Sequence, residues 1–166
     1  MPISSDAQIV EGVQQAFATC TRPEHFTNHM HREECAEHDE VLRTRDIETL
    51  SIEDAGNPGW DAICFISQVG FGYYFPALAR LALAQPVGPH GWYAPQLLFH
   101  LCNDGRLNER ILGCTPEQRR SIVDLLHHIL ETRADFADSS LCAGELLDAI
   151  EYWSDASGRL TNPESV

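Results

Sequence analysis

This sequence predicts an all-α fold, one compact domain of about six helices, and three observations carry that expectation. Apolar residues recur at i, i+3, i+4, i+7 spacing through most of the chain. Helix-start residues stand directly ahead of those stretches. The one run that could be a buried strand, AICFIS at 62–67, has no second strong strand pattern to pair with.

The elements follow in order. Ser5, with Gln8 three residues on, opens a first helix whose Ile9, Val10, Val13, Ala16 and Phe17 form one apolar face. Thr21-Arg22-Pro23 ends it, and residues 20–31 read as a polar, histidine-rich connection. A second helix begins near Glu33, with Cys35, His38, Val41 and Leu42 on one side. Gly56, Pro58 and Gly59 make 52–60 a loop. The most hydrophobic stretch, 60–84, holds a helix capped by Ser67 and interrupted by Pro76. Residues 85–91 form a loop, and Pro95 suits the first turn of a helix ending near Gly105. Thr115-Pro116-Glu117-Gln118 is the clearest start signal: N-cap, Pro at N1 and Gln at N3. Ile122, Leu125, Leu126, Ile129 and Leu130 then line one face, and His127-His128 must split between core and solvent. Ser139 or Ser140 is expected to cap a last helix with Leu146, Leu147, Ile150 and Trp153 inward. The domain is taken as 1–153, with the polar sequence 154–166 a flexible tail.

A chain of 166 residues can bury a sizeable core without disulfides or metal. Eleven Arg and no Lys stand against 25 acids, a formal net charge of −14. Nucleic acids are bound through clustered cations, so neither they nor a membrane surface are expected partners. No apolar run has the ~20 residues of a membrane span. The start, MPISSDAQIVEG, lacks the basic and apolar regions of a secretory signal. Six cysteines in a chain of this length read as free thiols, and Cys64 and Cys102, inside apolar segments, as small buried hydrophobes. A cytoplasmic location follows as an expectation. The acids cluster: nine lie within 33–54 against Arg43 and Arg45, and seven within 131–155 against Arg133. Glu33, Glu34, Glu37, Asp39, Glu40, Asp46 and Glu48 are therefore the candidate docking residues for a basic protein partner.

Four of the eight histidines, His25, His29, His31 and His38, fall within fourteen residues beside Cys20 and Cys35. His and Cys together are the ligand set of a borderline-soft ion such as zinc. Cys35 and His38 share a helix side at i, i+3, so the candidate metal ligands are His29, His31, Cys35 and His38, with Cys20 and His25 in reserve. The same cluster, with Glu34 or Glu37 handling protons, is the alternative reading as a metal-dependent, hydrolase-like enzyme. Other chemistry is thinly supported. Cys35 and His38 on one helix lack an attack geometry, His100 reads as a hydrogen-bonded core histidine, and Tyr73 and Tyr74 read as core aromatics with polar tips. No glycine-rich phosphate loop is present.

The stretches HFTNHMHREECAEHDEVL and GFGYYFPALARLAL resemble an uncharacterised family of small bacterial all-helical proteins. Its pattern, E-C-x-E-H-D, then a tryptophan, then G-F-x-Y-Y-x-P-A-L, falls on Glu34, Cys35, Glu37, His38 and Asp39, then Trp60, then 70–78. The resemblance covers residues 23–85 and brings no activity with it. Where it implies a further Cys before the first element, this chain has His31-Arg32-Glu33. The functional expectation favours a small acidic binding protein of the inhibitor or toxin-immunity kind, with a structural zinc-type site in 20–39, over the enzyme alternative.

Overall fold

A computed structural model describes residues 2–158, which form helices and irregular connections only, without strands. The all-α expectation holds, with nine α-helices among the described residues rather than six. They are α1 (Asp6–Ala16), α2 (Glu33–Arg43), α3 (Ile52–Ala55), α4 (Gln68–Leu83), α5 (Ala94–Cys102), α6 (Glu109–Gly113), α7 (Pro116–Thr132), α8 (Ala134–Ser139) and α9 (Ala143–Gly158). Three 3-10 turns, at 62–64, 88–90 and 105–107, join them. The short helices α3, α6 and α8 are too brief to display a helical period, and helices this short persist only where tertiary packing holds them. No helix among the described residues is long and apolar enough to cross a membrane.

The long helices begin where the capping signals put them. Ser5 with Gln8, and Thr115 with Gln118, form reciprocal capping boxes, and Ser67 accepts from the Gly70 N–H. α4 is apolar around almost its whole circumference and lies at the centre. α1 and α5 pack against it, while α7 packs on both α1 and α9. Pro76 sits mid-helix, so the Gly72 carbonyl one turn back has no amide hydrogen to accept. Gly72 is also a close approach: a Cβ there would lie 2.9 Å from the Cys20 sulfur.

Three expectations need correction. The last helix is not capped by Ser139 or Ser140. The chain ends α8 at Ser139, turns through Leu141 in the left-handed region (φ 56°), and restarts at Ala143. Leu147 faces solvent (55% exposed), because the inward stripe runs through Leu146, Ala149, Ile150 and Trp153. α9 continues past Trp153 to Gly158, its end tied down by Arg106 pairing with Glu151 and Asp155. Residues 159–166 of the expected tail lie outside the described residues.

Arginine closes most of the loops. Arg22 donates to the carbonyls of Arg43 and Arg45 (both 2.7 Å), and Arg80 to those of Ile47 and Leu50 (3.0 and 2.9 Å). Arg110 reaches the Ile63 and Ile66 carbonyls, Arg119 those of Ile111 and Cys114, and Arg133 that of Leu83 together with the Asp6 carboxylate. These are the orphan acceptors at the ends of helices and turns; Arg22 meets its two with both terminal nitrogens, while Arg80, Arg110 and Arg119 each reach two carbonyls through one. Arg119 is buried, so Arg119→Lys should lower stability by about 1–3 kcal/mol, while the exposed Arg120→Lys stays within about 0.5 kcal/mol. Urea unfolding of both variants checks this, and equal midpoints would refute the role given to the Arg119 guanidinium.

Candidate functional site

The histidine-rich connection is bound tightly to α2. Asp39, buried on the inner face of α2, accepts the backbone N–H groups of Phe26 (2.6 Å) and Thr27 (3.1 Å) on one oxygen. Its other oxygen accepts His25 Nδ1–H at 2.7 Å. The Thr27 hydroxyl donates to the Cys35 carbonyl at 2.6 Å, and the Ser67 N–H donates to the Phe26 carbonyl at 2.7 Å. One carboxylate thus ties residues 25–27 to α2, and the same strip leads into the start of α4. Burial alone would push the Asp39 carboxyl up. The hydrogen bonds from His25, Thr27 and Phe26 outweigh it and hold the group below the ordinary carboxylate value.

The expected metal ligands do not meet at one point. His29 stacks flat on His25, with ring centroids 3.6 Å apart and planes 11° from parallel. Imidazole lone pairs lie in the ring plane, so one ion at ~2.0–2.1 Å cannot lie in both planes of such a stack. The His31 Nδ1 and the Cys35 sulfur are 4.0 Å apart and form a separate pair. His38 is 1% exposed, its ring set between Trp60 (centroids 4.5 Å) and Phe65 (4.8 Å). Its Nε2 has no hydrogen-bond partner, with Glu34 4.0 Å away, and burial lowers its pKa despite the nearby acids. Cys20 lies elsewhere, its sulfur accepting from Gln118 Nε2 at 3.3 Å. Among the described residues, the donor groups that do converge are His25 with His29 and Asp39, and Asp61 with Cys64 and His100.

The acidic segment divides into working and free carboxylates. Asp39 is not available for docking, since it is buried and fully engaged. Asp46 caps its own turn through the amides of Glu48 and Thr49, and Asp54 pairs with Arg45 at 2.9 Å. Glu33, Glu37, Glu40 and Glu48 are exposed, and Glu34 is half-buried. The first three share the outer face of α2. Glu37 and Glu40 there line a groove of about 410 Å³ with Val41, Thr44 and Trp60. Trp60 is 41% exposed, unlike Trp92 and Trp153, which are buried with their indole N–H groups on the Ala82 and Leu101 carbonyls.

A second cluster joins two donors of one turn, Asp61 and Cys64, to a third far along the chain, His100. Asp61 caps the 62–64 turn by accepting the Ile63 N–H at 2.9 Å, and its other oxygen lies 2.6 Å from His100 Nε2 on α5. Burial would raise the Asp61 carboxyl, but the His100 hydrogen bond holds it below its usual value. The turn carries Cys64 to the same side, so one atom from each of the three residues lies within 4.8 Å of the others. Cys64 is therefore exposed at a cleft mouth, not the buried thiol its apolar neighbours suggested. Enclosure of its sulfur and the Asp61 carboxylate push the thiol up to about 11, which leaves it protonated near neutrality and unsuited to nucleophilic attack. The cleft, about 570 Å³, is walled by Trp92, Pro95, Gln96 and Phe99.

The chain matches no protein-family model, no curated protein and no solved structure.

The folded-state pKa of Asp39 lies below its unfolded value of ~3.9, so its stabilisation is complete above that value and is lost as pH falls through the folded one. Asp39→Asn should therefore cost about 1–3 kcal/mol at neutral pH, with the gap to the natural chain closing toward about pH 3. Urea unfolding at the two pH values measures it. A gap that does not change with pH would show that the charge on Asp39 is not what holds the connection.

Proposed function

We propose that this is a small acidic binding protein that docks a basic protein partner on the outer face of α2, with an arginine or lysine of the partner seated in the Trp60 groove. The observation that carries the reading is the exposed Trp60 ring beside the exposed carboxylates of Glu37 and Glu40 in one groove. An aromatic face attracts a cation, a pair of carboxylates adds Coulomb attraction, and the combination selects a cationic side chain over a neutral one. The floor is rigid, because His38 behind Trp60 is buried and the Tyr74 hydroxyl, donating to the Leu42 carbonyl at 2.5 Å, ties α2 to α4. Glu33 on the same face, with Glu34 and Glu48 nearby, extends the negative field that steers a basic partner inward. A stoichiometric inhibitor of a basic protein, of the immunity-protein kind, is the role that this size and surface suit.

An arginine-rich peptide titrated against the protein tests the groove, with Trp60 as the optical reporter, since the other two tryptophans are buried. Binding should weaken about three- to thirtyfold in Trp60→Ala and in the double variant Glu37→Gln/Glu40→Gln, and should fall with added salt. The control is Asp135→Asn/Asp138→Asn, which removes two exposed acids of α8 outside the groove. Equal losses in both double variants would mean diffuse charge attraction, and the docking site would be wrong.

A further inference from the structure

We propose that Asp61, Cys64 and His100 form a binding site for a divalent transition-metal ion of the zinc class, with its open coordination position facing the cleft beside Trp92 and Phe99. The donor set is one carboxylate oxygen, one thiol sulfur and one imidazole nitrogen, which together suit a borderline ion better than magnesium or calcium. Asp61, the N-cap, and Cys64 belong to the 62–64 turn and His100 to α5, and one atom of each lies within 4.8 Å of the others. Nor do they stack as His25 and His29 do: the 62–64 turn and α5 approach one point from different elements.

The surroundings hold each donor in place. Asp61 spends one oxygen capping the turn, and its other oxygen meets His100 Nε2 at 2.6 Å in a hydrogen bond whose proton the metal would displace on binding. Arg110 anchors both ends of the segment carrying Cys64, through the Ile63 and Ile66 carbonyls. The buried Asn108 amide holds the His100 and Leu101 carbonyls at 2.8 and 3.3 Å, which fixes the end of α5. Supporting bonds of this kind orient the direct ligands of metal centres.

A second, independent observation points to an occupant. The Tyr93 hydroxyl is buried, with the residue 1% exposed, and has no hydrogen-bond partner. It lies in the field of both Asp61 and Cys64. A buried hydroxyl without a partner costs about 1–3 kcal/mol. A metal-held water or oxygen ligand that reached inward, away from the cleft, would supply that partner. Three protein ligands and an open position toward a cleft are the arrangement of a zinc centre that takes up an exogenous ligand, as opposed to a closed structural one.

Reduced, chelator-treated protein titrated with zinc chloride, and separately with cobalt chloride, tests the site. One equivalent should bind, the cobalt form should show thiolate-to-cobalt charge transfer, and zinc should raise the melting temperature. Cys64→Ser, a change at an exposed residue, should abolish the charge-transfer band and weaken binding at least about tenfold, while His29→Ala leaves both intact. Absence of stoichiometric binding at micromolar metal would overturn the proposal. So would binding undiminished in Cys64→Ser, or binding lost in His29→Ala, which would move the ion to the His25 cluster.

Discussion

The guanidinium-to-carbonyl contact is the interaction on which the rest of this molecule depends. With short helices and long irregular connections, the chain creates many carbonyls that no helix can satisfy. Arg22, Arg80, Arg110, Arg119 and Arg133 each take one or two of them, at the ends of α2, the 45–50 connection, the turn before α4, α6 and α4 itself. Arg22 spans two carbonyls with both of its terminal nitrogens, and the permanent charge of the guanidinium suits such contacts at every ordinary pH. The same choice shapes the surface. Arginines spent on backbone do not neutralise carboxylates, so a large share of the acid excess is left facing water.

The second constraint is α4, which is apolar on nearly every side and must be enclosed from all directions. Long helices cover part of it, and the connections have to cover the rest. Residues 25–27 and 61–63 are consequently drawn inward and pinned by buried carboxylates, Asp39 for the first and Asp61 for the second. Polar chemistry therefore sits where an irregular strip meets a helix. The strip around 60–64 serves two places at once: Trp60 borders the groove on α2, and Asp61, its neighbour, turns toward α5.

Much of this was legible in the residues. Ser5, Ser67 and Thr115 announced their helices, because capping is local and needs only a few consecutive positions. His100 was rightly read as a bonded core histidine, and the unlike neighbours His127 and His128 do divide between solvent and interior. Three things escaped a one-dimensional reading. Short helices such as α6 have no period to recognise. Whether an acid is free or engaged depends on distant partners, which is why Asp39 was grouped with Glu37 and Glu40. The spacing of Asp61 and Cys64 was visible, yet nothing in the sequence could say that His100 would join them.

The all-arginine complement has one more consequence, on the alkaline side. A guanidinium keeps its proton beyond pH ~12, where an ammonium group of pKa ~10.4 would already be neutral. Burial raises Cys102 to about 11 and Cys114 to about 12, and lifts Tyr74 and Tyr93 well above an ordinary phenol. Contacts made by arginine therefore keep their charge further into base than lysine contacts would, although burial lowers the Arg110 guanidinium below its ordinary value.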